Sequence, residues 1–180
     1  MTDFNRPIIE EFRANHGRVG GMFEGAPLLL LTTTGARSGR SHTTPTVYAE
    51  DDGRLILFAT NAGQPANPAW LYNLRTNPQV LVELGDDRFE ATATELMGTE
   101  RDRLYADQAR RNPAFAQYEA NTDRVIPVVA LTRIDSAEHE PAASPGEREQ
   151  AAVHLNPSTL QVHADRRPAY LNEDRRPVRN

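Results

Sequence analysis

The chain has 180 residues, of which 38% are hydrophobic and 25% are charged, and its formal net charge is −5 at pH 7. It contains no cysteine, which excludes disulfides, thiolate metal ligands and a cysteine nucleophile. The mildly acidic balance disfavours nucleic-acid binding, because affinity for a phosphate backbone needs a dense basic face.

The first predicted element is an amphipathic helix over residues 4–16. Its apolar residues fall on one stripe, formed by Phe4, Ile8, Ile9 and Phe12, so we expect it to dock on a sheet. A peripheral membrane contact through this helix is an open alternative, although its polar face is not basic enough to favour lipid. No apolar run approaches the ~20 residues of a membrane span, and no signal-type segment follows a basic start. We therefore expect a cytoplasmic protein, with membrane association as the alternative.

Six β signals and three further helices follow in quick succession. The strands are predicted at residues 28–34, 43–50, 54–60, 78–84, 88–96 and 126–134, and the helices at 67–76, 98–111 and 113–120. Asp52 and Gly53 suit the positive-φ positions of a tight hairpin turn. Many strands with few helices predict a mainly β protein with flanking helices (α+β), built on a small antiparallel barrel rather than a doubly wound sheet.

The composition divides the chain into three parts. Residues 1–25 form the predicted N-terminal helix and linker, and residues 26–135 form the predicted barrel domain. Residues 136–180 are polar and rich in Pro, Arg and Glu, and they cannot bury enough apolar surface to offset the entropy of ordering. We expect this extension to be flexible or to be ordered by a partner.

A glycine-punctuated basic loop follows the apolar run 28–31. Within it, Arg37, Ser38 and His42 surround Gly35 and Gly39, and backbone N–H groups freed at such turns can converge on phosphate oxygens. The loop lacks the sequence of a nucleotide P-loop or of a Rossmann turn. A solvated hairpin connection is the competing interpretation.

A second loop, residues 60–66, opens into the helix at 67–76. Asn67 is predicted to cap this helix and Pro68 to occupy its first position, while Asn73 can point its amide at the same anion. If the first three strands run up, down and up, both loops leave from one end of the sheet. The competing interpretation is ordinary capping, with Trp70 and Leu74 in the core.

Other catalytic constellations are not supported. The histidines show no i,i+3 or i,i+4 pairing, so we expect no metal. The chain has no Gly-x-Ser-x-Gly elbow, and its Asp-Asp pairs lie at hairpin turns, where solvated turn chemistry explains them. For Tyr105, Phe115 and Tyr118, core packing is the default interpretation.

Three sequence blocks in order resemble a known family. They are Thr32-Thr33-Thr34-Gly35-x-Arg37-Ser38-Gly39 with Pro45, then Asn67-Pro68-x-Trp70-x-x-Asn73-Leu74 with Asn77-Pro78, and finally Thr122-Asp123-Arg124-x-Ile126-Pro127. Together they resemble the deazaflavin-dependent nitroreductase family of actinobacteria, split β-barrel oxidoreductases that use coenzyme F420. The resemblance covers roughly residues 5–134 and leaves the C-terminal extension unexplained.

The resemblance implies a split β-barrel related to FMN-binding proteins and a reductase that uses F420H2. It places Arg37, Ser38 and His42 at the phosphate and polyglutamate part of the cofactor. The other implied cofactor-binding residues are Thr43, Thr44, Pro45, Thr60, Asn61, Ala69, Trp70 and Asn73. Phe115 and Tyr118 would contact the acceptor, and Tyr118 would orient it or deliver a proton.

The acceptor itself stays open. Members best known for nitroimidazole reduction carry a tyrosine cluster, whereas this chain has Asn112, Phe115 and Tyr118 at the matching positions. We expect hydride transfer to a small-molecule acceptor, either a quinone, a nitroaromatic or an activated enone. The alternatives are a non-catalytic F420 carrier and an FMN-dependent oxidoreductase on the same barrel. A homodimer also stays open.

Overall fold

The fold comes from a computed structural model that describes residues 4–134, so the predicted extension 136–180 lies outside the described residues. The strands are β1 Leu28–Thr34, β2 Ser41–Asp51, β3 Arg54–Phe58, β4 Gln79–Leu84, β5 Asp87–Leu96 and β6 Val128–Arg133. The helices are α1 Asn5–Ala14, α2 Ala69–Thr76, α3 Gly98–Arg111 and α4 Pro113–Ala120, and two short 3₁₀ turns lie at Gly21–Phe23 and Asn61–Gly63.

The six strands close into one antiparallel barrel in the order β1-β2-β3-β6-β5-β4. The predicted barrel is therefore confirmed. The tight turn between β2 and β3 is also confirmed, because Asp51 pairs with Arg54 and the two residues between them, Asp52 and Gly53, have φ of 50° and 73°. The last strand begins two residues later than predicted, after Pro127, whose nitrogen has no proton for the ladder.

The barrel is filled from inside and covered from outside. Along β1, Leu29 and Leu31 belong to the interior cluster, whereas Leu28 and Leu30 pack against α1. This alternation follows from the two-residue period of a strand. It explains why the sequence is continuously apolar over residues 28–31: both faces of the strand are buried.

Helix α1 lies on the outer face of the sheet, as predicted. Phe12 is fully buried beside Leu28 and Leu30, and Arg13 makes a two-bond ion pair with Glu83 on β4, at 2.6 and 2.8 Å. Phe4 does not join this contact, because it precedes the first turn of the helix and is 66% exposed. Its assignment to the docked stripe was therefore wrong.

Helices α3 and α4 cover another part of the barrel wall. Their buried residues Leu104, Tyr105 and Phe115 form a cluster with Phe58 and neighbouring residues of β3 and β6. Asp51, at the far end of β2 from the glycine loop, accepts two hydrogen bonds from Arg103 of α3, both at 3.0 Å. The hairpin end of the barrel is thereby fastened to α3.

Candidate functional site

A cleft of about 1080 Å³ lies between the loop after β1, the beginning of β2, and the helices α1 and α2. Several predicted cofactor-binding residues line it, namely Arg37, Ser38, His42, Thr43, Thr44, Ala69, Trp70 and Asn73. The predicted residues Pro45, Thr60, Asn61, Phe115 and Tyr118 are not among the lining residues. The two sequence blocks 32–39 and 67–74 therefore meet in one depression.

The loop after β1 folds tightly on itself. The N–H of Gly35 donates to the Arg40 carbonyl at 2.8 Å, and the N–H of Gly39 donates to the Gly35 carbonyl at 2.9 Å. A Cβ on Gly35 would lie 2.4 Å from Ser38 Oγ and 2.9 Å from His42 Nε2, so only glycine lets these side chains approach the turn. Gly39, with φ of 64°, reverses the chain into β2.

The loop carries a positive charge that no carboxylate of residues 4–134 neutralises. Arg37 and Arg40 are exposed, and no carboxylate of the described residues pairs with either guanidinium. Ser38 Oγ and His42 Nε2 lie 3.4 Å apart beside them. Charged donors, a hydroxyl and an imidazole at one cleft form a donor set that suits a phosphate or a carboxylate.

Asn73 joins helix α2 to this loop. Its Oδ1 accepts the N–H of Ala36 at 3.0 Å, and its Nδ2 donates to Thr33 Oγ1, also at 3.0 Å. The Thr33 side chain is almost fully buried, so this bridge ties the loop to the barrel itself. Asn73 lines the cleft and, at the same time, holds the cleft's other wall in place.

Helix α2 begins differently from the prediction. Its first residue is Ala69, and Pro68 is the N-cap in an extended conformation. Asn67 does not cap the helix, because its Oδ1 accepts a hydrogen bond from Arg124 at 2.8 Å. Trp70 and Leu74 pack into the barrel interior, with exposures of 6% and 5%, as the competing interpretation expected, and part of Trp70 also faces the cleft.

Several cleft residues were missed by sequence reasoning. Asn5, Ile9 and Arg13 come from α1, and Tyr72, Arg75 and Thr76 come from α2. The Arg75 guanidinium lies 6.0 Å from the centre of the Tyr72 ring and makes a two-bond ion pair with Glu95. Residues 69, 72, 73 and 76 share one helical face. That periodicity could have identified the cleft residues on α2. Nothing in the sequence of α1 indicates that this helix faces the cleft.

The aromatic residues of α4 lie away from the cleft lining. Phe115 is 6% exposed, with its ring centre 5.3 Å from that of Phe58, and the half-buried Tyr118 ring lies 5.7 Å from that of Phe115. Tyr105 donates its hydroxyl proton to the Phe115 carbonyl at 2.8 Å. Burial raises the pKa of Tyr105 to about 12, so it remains a donor at neutral pH and anchors α4 to α3.

Residues 4–134 hold no group of three or more His, Asp or Glu side chains that could bind a metal ion. No helix in this part of the chain is long and apolar enough to cross a membrane.

The chain is similar to reductases that use reduced coenzyme F420. A family model described as F420H(2)-dependent quinone reductase matches residues 4–133. The chain is 38% identical over 126 residues to the F420H(2)-dependent quinone reductase Rv1261c of Mycobacterium tuberculosis, which corresponds to 68% of this chain and 85% of that protein.

Two solved structures share the fold. One is described as an F420-H2 dependent reductase (FDR-A), with 37% identity and a TM-score of 0.54 over 59% of this chain and 94% of that chain. The other is described as a domain-swapped dimer, with 34% identity and a TM-score of 0.56 over 71% of this chain and 94% of that chain.

Proposed function

The chain belongs to the F420H(2)-dependent quinone reductase family, and on that premise we propose that its cleft binds reduced coenzyme F420 for transfer of hydride to a quinone. Membership makes the protein an F420H2-dependent reductase, whereas the positions of the cofactor and of the acceptor are proposals. The observation that supports them is the arginine pair Arg37 and Arg40, which pairs with no described carboxylate and lies in the loop that borders a cleft of about 1080 Å³.

The donor set of the loop fits the anionic part of the coenzyme. Arg37 and Ser38 offer charged and neutral donors on one side of the cleft, and His42 stands next to Ser38. A hydrogen bond to a charged group contributes on the order of 1.5–3 kcal/mol. Two or three such bonds would hold a phosphate or a glutamate carboxylate firmly without any further basic or metal partner.

The opposite wall suits a flat ring. Ala69 and Trp70 line the α2 side, and Thr44 lines the strand side. Pro45 and Thr60 lie at the same end of the barrel. Tyr48 of β2 pairs with Leu57 of β3 in antiparallel register, and Pro45 lies three residues before Tyr48 while Thr60 lies three residues after Leu57. We place the deazaflavin ring along this rim, where the protein orients it and keeps water from its reactive face.

The chemistry belongs to the cofactor and the positioning belongs to the protein. Reduced coenzyme F420 supplies a hydride when bound. Tyr118 is the one hydroxyl proposed near the acceptor, and it either orients the acceptor or donates a proton, with solvent as an equally good proton source. No described side chain is assigned as an obligatory acid or base.

Quinone reduction is the favoured acceptor chemistry. The family description and the mycobacterial relative both carry it in their names. Of the three positions matched to the tyrosine cluster, this chain has a phenol only at Tyr118, and Phe115 is buried in the aromatic cluster. Nitroaromatics and activated enones are the secondary acceptors of the proposal.

The test is a titration of the purified protein with F420H2, followed by reoxidation with and without menadione. Saturable binding and menadione-stimulated reoxidation are expected. Tight binding without stimulated turnover would instead indicate a carrier, and a protein that copurifies with yellow flavin and does not bind F420H2 would indicate an FMN enzyme.

A parallel assay with Tyr118→Phe examines the acceptor side. The change removes only the hydroxyl and keeps the ring against Phe115. A fall in kcat with unchanged cofactor affinity would assign the hydroxyl to the acceptor, and an unchanged kcat would leave solvent as the proton source.

A further inference from the structure

The chain turns through three consecutive left-handed residues just after β3. Asn61, Ala62 and Gly63 have φ of 46°, 52° and 75°. Glycine adopts this conformation readily, but a residue with a Cβ adopts it only where its surroundings impose it. Two of the three residues carry a Cβ. The Asn61 side chain supports the turn locally, because its Nδ2 donates to the Ala66 carbonyl at 2.9 Å, and further support comes from outside the turn.

Arg124 holds the turn from both sides. Before the turn, its Nη2 donates to the carbonyls of Ala59 and Thr60, at 3.1 and 2.7 Å. After the turn, its Nε donates to the Gln64 carbonyl at 3.0 Å and its Nη1 donates to Asn67 Oδ1 at 2.8 Å. Four of the five guanidinium protons therefore bridge the two ends of one strained segment.

The Arg124 hydrogen bonds are connected to the cleft through the first residues of α2. Asn67 is followed directly by Pro68, the N-cap, and by Ala69 and Trp70, which line the cleft. Fixing the Asn67 side chain therefore fixes the point at which α2 enters the site. Helix α4 approaches the turn closely from its other side, since a Cβ on Gly63 would lie 3.2 Å from the Tyr118 carbonyl.

Within the part of the chain that the structure describes, Arg124 forms no ion pair. All four of its hydrogen-bond acceptors are neutral, and no carboxylate of residues 4–134 forms a salt bridge with it. Burial lowers the pKa of this guanidinium. The guanidinium therefore acts by donating hydrogen bonds to neutral oxygens on both sides of the turn, and not by pairing with an opposite charge.

We infer that Arg124 is a positioning residue that holds the left-handed turn at 61–63 and the entry of α2 in the geometry needed for the cofactor. This inference rests on the function proposed above. In the sequence, Arg124 is recognised only as part of the third motif block, and the structure gives it a specific structural role. A lysine cannot replace it, because three donors on one nitrogen cannot span acceptors on both sides of the turn.

Backbone hydrogen exchange on the full chain tests the clamp without any ligand. The reporters are the N–H groups of Gly63 and Gln64, which bond to the Thr60 and Asn61 carbonyls. In Arg124→Lys we expect these two amides to exchange at least about tenfold faster, while amides of β1 are unchanged. The matched control is Arg103→Lys, which alters a two-bond arginine contact at the far end of the barrel.

Cofactor affinity is then measured on the same proteins by fluorescence titration with coenzyme F420. Arg124→Lys should bind at least about tenfold more weakly than the parent protein, whereas Arg103→Lys should bind equally well even where its melting temperature falls. In Arg124→Ala, added guanidinium at millimolar concentration should restore part of the affinity, which a general loss of stability would not allow.

Each outcome decides the inference. Unchanged exchange at Gly63 and Gln64 in Arg124→Lys would overturn the clamp, and faster exchange with unchanged affinity would overturn its role in cofactor positioning. A parent protein that does not bind F420 would overturn the proposed function instead, and the exchange data alone would then decide whether Arg124 holds the turn.

Discussion

Asn73 accepts the backbone N–H of Ala36 through its Oδ1 at 3.0 Å, although 37 residues separate the two in sequence. This bond joins helix α2 to the glycine loop that follows β1. The same side chain donates to Thr33 Oγ1, so one amide connects the loop, the barrel wall and the helix. The shape of the cleft depends on that connection.

Replacing Asn73 with alanine should therefore loosen the cleft as well as weaken the fold. The change removes the bond to the exposed Ala36 N–H and leaves the buried Thr33 hydroxyl with only a long 3.5 Å bond to the His42 carbonyl, at a cost of about 1–3 kcal/mol in the free energy of unfolding. Urea unfolding measures this cost, and F420 titration measures the accompanying decrease in affinity. Asn77→Ala is the control, because the Asn77 side chain makes a single 3.4 Å bond, to the Thr34 carbonyl, and its loss should cost less. Equal effects of the two variants would contradict the bridge.

Arg37 is expected to bind the anionic part of the cofactor. Arg37→Ala removes an exposed guanidinium that has no acidic partner among the described residues, so it should leave the fold unchanged. Removing one charge-assisted hydrogen bond to the coenzyme should lower F420 affinity by more than about tenfold. Arg18→Ala removes an exposed arginine outside the cleft and should bind normally. Unaltered binding by Arg37→Ala would remove Arg37 from the site.

Gly35 is expected to be required for cofactor affinity. An alanine Cβ there would lie 2.4 Å from Ser38 Oγ and 2.9 Å from His42 Nε2. Both side chains must move away, so Gly35→Ala should bind F420 more weakly while its melting temperature changes little. In the control, Gly20→Ala, the new Cβ would meet only Glu11 Oε1 at 3.5 Å. Wild-type affinity in Gly35→Ala would show that the arrangement of Ser38 and His42 does not matter for binding.

Stability should fall in acid because three carboxylates are held by arginines. Hydrogen bonds from Arg13, Arg75 and Arg103 lower the pKa values of Glu83, Glu95 and Asp51, respectively, below their ordinary 4.5, 4.5 and 3.8. A depressed folded-state pKa stabilises the fold above the ordinary pKa, and that stabilisation is lost as the pH falls below it.

Urea unfolding at a series of pH values measures this dependence. The free energy of unfolding should fall as the pH drops below about 4.5, and Glu83→Gln should reduce the size of that fall. A free energy of unfolding that stays constant well below the ordinary carboxyl pKa values would contradict the stabilising role of these ion pairs.

Much of the fold could be predicted from the sequence, because local signals and burial agreed. The run over residues 28–31 is apolar on both faces of β1, and the predicted bounds of β1, α3 and α4 match those of the structure. The start of α2 could not be predicted, because the side chain that competes for Asn67 belongs to Arg124, 57 residues away. Capping rules describe neighbours in sequence and do not include such a competitor.

The sequence predicted which loops meet at the site, because strand direction determines the end of the barrel from which each loop leaves. Antiparallel pairing of β1 with β2 places the glycine loop at one end of the barrel, where α2 also begins. The contributions of Asn5 and Arg13 could not be inferred, since they depend on how α1 lies across the sheet. The binding roles of all the predicted site residues stay predictions, and five of those residues lie outside the cleft lining, namely Pro45, Thr60, Asn61, Phe115 and Tyr118.

The most direct test of cofactor binding in this cleft is a crystal structure of the protein with coenzyme F420 bound. We predict a phosphate or glutamate oxygen of the coenzyme within about 3 Å of the Arg37 guanidinium, with the deazaflavin ring beside Trp70. A coenzyme bound with its anionic groups away from the glycine loop would contradict this placement.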